Sequence, residues 1–260
     1  MDIKISEDER LDFINEDLKI IQRKNGLTFG TDSYLLSAFA RKMGREDAAD
    51  LGCGTGVASL LCAARRKYKK IYALELQEQF ADIATRNAEL NGLEDRVVPI
   101  CCDLRKADED ITPGSLGAVF SNPPYMPKNS GAKSEYDEMN SARREENGTI
   151  SDFCSAAARM LRHGGIFTVV YRPERLCELV FSMKSVGLEP KRTVLVYPDR
   201  NSPPCLVLVE AKKGASPAVQ IARPLIIYES EDKTAERKYT EDMDRVYNDF
   251  SLDHLFSKGE

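Results

Sequence analysis

No stretch of the 260-residue chain approaches the roughly 18 apolar residues that a membrane-spanning helix requires. Charged residues make up 30% and the hydrophobic set 42%, so a globular chain able to bury a full core is expected, and no membrane partner. The first twenty residues, MDIKISEDERLDFINEDLKI, lack the basic start and continuous apolar run of a secretory signal, so the cytoplasm is the expected location. Histidine is scarce, with only His163 and His254, and the seven cysteines at 53, 62, 101, 102, 154, 177 and 205 include no CxxC pair. A zinc site or disulfide framework is therefore not expected, and most of the thiols read as small buried hydrophobes. Positive charge is not in excess either: 37 Lys and Arg against 42 Asp and Glu leave -5, which argues against coating nucleic acid by bulk electrostatics. A local basic patch is compatible with that sum. The run RRKYKK, Arg65 to Lys70, is either such a patch or a solvated helix end.

Internal repeats and low-complexity segments are also missing, and what is present is alternation. KIYALEL (70 to 76), RVVPICC (96 to 102), LGAVFS (116 to 121), GIFTVVY (165 to 171), TVLVYP (193 to 198) and CLVLVEA (205 to 211) read as strands, with REDAAD (45 to 50) as the first of the core. Between them VASLLCAARR (57 to 66), QEQFADIATRNAELNG (77 to 92), ISDFCSAAARMLRHGG (150 to 165) and PERLCELVFSMKSVG (173 to 187) carry helical patterns, several ending at glycine. This spacing implies an α/β fold with a mostly parallel sheet and helices on both faces. The last two strands have no helix between them and are expected to pair as an antiparallel hairpin at the sheet edge. Residues 126 to 148 and the charged tail from about 229 exceed the usual connection length, so they read as lids, binding loops or disorder.

DLGCGTG (50 to 56) sets an acid and three glycines, Gly52, Gly54 and Gly56, at the start of a helix. Glycine there lets the backbone reach a ligand, and the helix start offers free N–H groups, although tight turns use the same residues without binding anything. Glu75 ends the next strand, where a carboxylate can accept from two ribose hydroxyls, and Asp103 ends the third, where it can accept from an adenine amino group. Both acids have a plain alternative as strand ends and helix caps. GCGTG departs from the GxGxxG of dinucleotide enzymes, and Asp50 would repel a pyrophosphate but suit an ammonium. A nucleoside carrying an amino acid fits better.

That set of residues resembles the class I S-adenosylmethionine-dependent methyltransferases. The resemblance implies a Rossmann-like sheet of seven strands with the last antiparallel, and S-adenosylmethionine as cofactor. VFSNPPYMP (119 to 127) then gains a role beside the donor's methyl group. An exocyclic amine or carboxamide nitrogen has a delocalised lone pair, and two acceptors, the Asn122 side-chain oxygen and the Pro123 carbonyl, can hold its N–H bonds and favour pyramidal geometry. Pro123 and Pro124 stiffen the turn, and Tyr125 offers a flat face for an extruded base. Asn-Pro-Pro-Tyr resembles the signature of amino-methyltransferases acting on adenine N6, related amines or glutamine amides.

Further stretches, LKIIQRKNGLTFGTDSYLLSAFA (18 to 40), SARREE (141 to 146), VVYRPERLCELV (169 to 180), GLEPKR (187 to 192), LVLVEAKKG (206 to 214) and PLIIYE (224 to 229), resemble the tRNA1(Val) adenine-N6-methyltransferase family. By that resemblance tRNA is the partner and the adenine next to the anticodon the target. Thr31 and Asp32 would lie over the donor's methionine end, with Phe29 walling the pocket. Arg143, Arg144, Arg172 and Arg175 would contact phosphates, although RPER also reads as a structural helix start. The expected organisation is an N-terminal extension over the cofactor site (1 to 45), the methyltransferase domain (46 to 215) and a partly flexible C-terminal extension (216 to 260). A protein glutamine methyltransferase of the release-factor type shares the four-residue motif, but those enzymes carry a larger helical N-terminal domain, whereas only about 45 residues precede DLGCGTG. A binding module that has lost turnover is the remaining alternative.

Overall fold

A computed structural model describes residues 4–14, 18–24, 30–124, 148–230 and 237–257. The short apolar runs form one twisted sheet: β3 (Ala48–Leu51), β4 (Ile71–Glu75), β5 (Val97–Cys101), β6 (Leu116–Ser121), β7 (Leu161–Tyr171), β8 (Leu188–Tyr197) and β9 (Leu206–Lys213). β3 pairs in parallel with both β4 and β6, β4 with β5, and β6 with β7, while β9 lies antiparallel between β7 and β8. These are the seven strands and the antiparallel last strand of the expected fold. Among the described residues the sheet totals nine strands, because two-residue strands β10 (Gln220–Ile221) and β11 (Leu225–Ile226) extend it beyond β8 in parallel. Strands that short leave no periodicity to read, so the β8–β9 pair is not the sheet edge.

Alternation along each strand feeds two cores. Ala118 and Phe120 of β6 and Leu208 of β9 face one, with Leu35, Leu36 and Phe39 of α1 (Thr31–Phe39) and Leu61 of α2 (Val57–Ala64). Val119, Val207 and Val209 face the other, with Phe153, Ala157 and Met160 of α4 (Ile150–Met160) and Leu179 and Met183 of α5 (Leu176–Ser185). Successive strand residues point to opposite faces, so a sheet covered on both buries all of them, which is why β3 can be built from AADL with all four residues buried. That strand starts three residues later than REDAAD suggested.

Other boundaries moved for local reasons. The helix expected over 150 to 165 stops at Met160, and its Gly-Gly pair instead sits in an irregular register of β7, where Leu161 faces Leu116 and Ile166 faces Ala118. PER is a short 3-10 turn, Pro173–Arg175, before α5 begins. Upstream of the core, β1 (Glu9–Phe13) and β2 (Lys19–Arg23) form an antiparallel hairpin. It docks on α3 (Glu78–Leu90), whose Asn87 side chain accepts from Ile21 N–H at 2.7 Å and donates to Ile21 O at 3.1 Å.

The charged tail departs most from expectation. It contains α6 (Glu241–Asp249) and a 3-10 turn, Asp253–Phe256, with Met243, Val246 and Leu252 fully buried in the first core. In RRKYKK two residues are structural: Lys67 is buried and donates to the carbonyls of Ala38 and Ala40 at the end of α1, and Tyr68 stacks on Phe120 at 5.7 Å, while Arg65, Arg66 and Lys69 are exposed. Among the described residues no helix is long and apolar enough to cross a membrane.

Candidate functional site

The loop after β3, the ends of β4 and β5, and the residues after β6 meet at one edge of the sheet around a cavity of about 190 Å³. Gly54 forms its floor: φ is +57°, a Cβ there would meet nothing within 4 Å, and its N–H donates to Glu75 Oε2 at 2.9 Å. Gln77 N–H donates to the other oxygen, Oε1, at 2.9 Å, so the Glu75 carboxylate is clamped by two backbone amides. Burial raises its pKa against the pull of those amides. Asp50, 1% exposed, accepts from Ser59 Oγ at 2.7 Å. Burial pushes its carboxyl up to about 7, with the nearby Glu75 charge adding to the rise.

Gly52 lines the same cavity with φ at +70°, against the Phe153 ring. Gly56 has a different task. It does not line the cavity; it precedes α2, where a Cβ would press on Ala84 of α3 at 3.3 Å. Asp103 lines the cavity and also caps the 3-10 turn Leu104–Glu109: its Oδ1 accepts from Arg105 N–H at 3.0 Å, and the Arg105 guanidinium pairs with both oxygens. That bond to Arg105 holds its pKa below the usual value. Asp32 lines the cavity too, accepting from Ser33 N–H at 2.8 Å, whereas neighbouring Thr31 starts α1 outside the lining. Four carboxylates, Asp32, Asp50, Glu75 and Asp103, thus share one cavity with no Lys or Arg among its described lining residues.

Asn122 follows β6, whose last residue is locked by a 2.7 Å bond from Ser121 Oγ to Leu51 O across to β3. The Asn122 amide nitrogen donates to Ser33 Oγ at 3.3 Å. Pro123 and Pro124 complete that wall. Tyr125, Arg143, Arg144 and Phe29 lie outside the described residues. Arg172 and Arg175 stand past the end of β7, outside the lining and engaged within the protein. Arg172 donates to Cys205 O at 3.3 Å; Arg175 grips Glu178 with two 2.8 Å bonds and lies 5.3 Å over the Tyr171 ring. Pro173 opens the 3-10 turn, as the structural reading of RPER expects, and Arg175 is engaged by Glu178.

Several lining residues were not anticipated. Phe80, in the first turn of α3, together with Leu76 and Leu104 gives the cavity an apolar wall. Ser33 directly follows the Thr-Asp pair, and only its contact with Asn122 reveals its importance. Two cysteines, Cys53 and Cys102, also line the site, and full burial is confined to Cys62 and Cys154, fewer than expected. Among the described residues no group of His, Cys, Asp and Glu is arranged to hold a metal ion.

Comparison with known proteins gives the chain a family. The tRNA1(Val) (adenine(37)-N6)-methyltransferase of Bacteroides fragilis is 27% identical over 72% of this chain and 77% of its own length. The protein of the same name from Haemophilus influenzae is 26% identical over 92% of this chain and 98% of its own. Among solved structures, a predicted O-methyltransferase from Agrobacterium tumefaciens superposes with a TM-score of 0.68 at 23% identity, covering 85% of this chain and 97% of that one. The tRNA m1G37 methyltransferase of M. jannaschii follows at 0.54 and 14% identity, over 80% and 58%. Residues 24–186, more than half of the sequence, match the methyltransferase small domain, and the chain belongs to that family.

Proposed function

We propose that the protein transfers a methyl group from S-adenosylmethionine to the exocyclic N6 of an adenine in tRNA, next to the anticodon. The observation that carries this reading is the cavity lined by four carboxylates and no described cation, opening directly onto Asn122, Pro123 and Pro124. A sulfonium donor bearing an ammonium is cationic, and this lining attracts it where it would repel a pyrophosphate. Bound there, the donor supplies an electrophilic methyl group.

The protein's own residues do the rest. Glu75, held by Gly54 and Gln77, accepts from the two ribose hydroxyls, and the apolar side chains of Phe80, Leu76 and Leu104 enclose the donor's base. Asp103 serves that base from its place as the cap of the 3-10 turn. Asp32 and Asp50 face the amino-acid end. The Asn122 amide presents its N–H end to Ser33, so its carbonyl end and the Pro123 carbonyl serve as acceptors for the two N–H bonds of the target amine. Held between them, the nitrogen would regain lone-pair density and form its bond to the methyl as the donor's S–C bond breaks to a neutral thioether, the surplus N–H proton leaving to solvent, so the step would run on positioning and electrostatics rather than on a strong base. Tyr125 follows directly and receives the extruded base; an anticodon loop suits this, because its bases are unpaired and leave the stack at low cost.

The acceptor is supported by relatives that carry the tRNA1(Val) adenine name over most of this chain. Such a substrate would place the enzyme in the cytoplasm. Incubation with labelled S-adenosylmethionine and unmodified tRNA, and separately with RNA-free cell protein, tests it. N6-methyladenosine in the digested tRNA is the expected product. Label found only as methylglutamine in protein would overturn the acceptor while keeping the chemistry, and label in neither would overturn turnover itself.

A further inference from the structure

A row of tyrosines leads away from the site. Ser33, which holds Asn122, is followed by Tyr34, whose buried ring lies 4.6 Å from that of Tyr247. Tyr247 lies 5.1 Å from Tyr239 and donates its hydroxyl proton to the Tyr239 oxygen at 3.4 Å. Tyr239 in turn stacks on Tyr228 at 5.4 Å with the rings 17° apart, and the Arg237 guanidinium covers Tyr228 at 4.7 Å. The row surfaces at Tyr239, which is 38% exposed.

Strand directions show where it surfaces. β11 runs parallel to β8, and β8, being antiparallel to β9, points the same way as β7 and β6. Tyr228, two residues beyond β11, therefore emerges at the edge of the sheet where Asn122 follows β6. Main-chain pairing, Tyr228 with Tyr239 and Glu229 N–H to Lys238 O at 3.0 Å, holds the segment independently of the side chains.

We propose that Tyr239, backed by Tyr228 and Tyr247, is a stacking platform for a second unpaired base of the RNA, beside the adenine that receives the methyl group. The proposal rests on the RNA reading above. Its chemistry is that of single-stranded recognition, in which a ring held rigid by its neighbours accepts the flat face of a base. Arg237 and exposed Lys238 flank it, but Glu241 and Asp244 on the next turn are exposed acids that disfavour a phosphate track across it. The complement is then the neutral face of a base rather than the backbone.

The chain contains no tryptophan, so Tyr239→Trp installs a sole indole whose emission a stacked base quenches. The probe is an unmodified anticodon stem-loop RNA, with a fully paired duplex as control and binding followed independently by polarisation of labelled RNA. Quenching by the stem-loop but not the duplex is expected. Tyr239→Ala should weaken stem-loop binding about tenfold, with Tyr239→Phe close to wild type and donor affinity unchanged in both. If the wild-type protein binds the stem-loop while Tyr239→Trp stays unquenched and Tyr239→Ala binds equally well, the platform is overturned and the RNA reading stands. If the wild-type protein binds no RNA, both fall. Should Tyr239→Ala not fold, the quenching result alone decides.

Discussion

The Asn122 side-chain amide donates to the Ser33 hydroxyl at 3.3 Å, joining the residue after β6 to the first turn of α1 across 89 positions of sequence. The donor cavity and the proposed acceptor site thereby share one hydrogen bond. An amide can present either end, and here its N–H end faces Ser33.

Ser33→Ala removes that bond and with it one restraint on the Asn122 side chain. The expected result is a kcat lower by about three- to tenfold, the worth of one neutral hydrogen bond, with donor affinity within about twofold and Ser33→Thr restoring most of the rate. A loss confined to donor affinity would show that Ser33 serves the donor instead.

Glu75→Gln keeps the shape of the clamp but removes the charge that Gly54 and Gln77 stabilise. Donor affinity should fall by about 10- to 100-fold, as charged hydrogen bonds are worth about 1.5–3 kcal/mol. Equal affinity in calorimetry would remove Glu75 from the donor site.

Asp50 links stability to pH. Its folded pKa of about 7 lies above the ordinary 3.8, so the folded state holds this proton more tightly than the unfolded chain. Its contribution is fully favourable below the ordinary value, is lost as pH rises through the folded one, and is flat above it. Urea melts at pH 5 and pH 8 should show the wild type losing on the order of a few kcal/mol more than Asp50→Asn across that window. An identical pH dependence in the two proteins would contradict this assignment.

Lys67 tests the reading of RRKYKK as structure. Burial holds its ammonium down to about 8, yet it ties the carbonyls of Ala38 and Ala40. Lys67→Met should destabilise the fold by about 1–3 kcal/mol, through carbonyls left unsatisfied, without weakening RNA binding by the folded protein. Loss of RNA affinity at unchanged stability would restore the basic-patch reading.

Much of the site was legible because its chemistry restricts residue types: Gly54 must hold a positive φ, Glu75 must end a strand, and Asn122 must precede prolines. The roles of Gly56 and Thr31 were not separable from those of their neighbours, since only packing shows that Gly56 makes room for Ala84. In α6, Met243 and Val246 are a helical pair three apart, but the surrounding charges masked so narrow a stripe. Contacts between distant segments, such as Ser33 to Asn122 and Tyr34 to Tyr247, have no local signature at all.

The most direct test of the central claim separates donor binding from methyl transfer in Asn122→Ala. S-adenosylmethionine affinity by calorimetry should stay within a few-fold of wild type, while N6-methyladenosine formed in unmodified tRNA falls by about 100- to 1,000-fold, as for removal of one preorganised polar group. Unchanged turnover would contradict the account, because no other described group lining the cavity beside Pro123 is assigned to hold the amine.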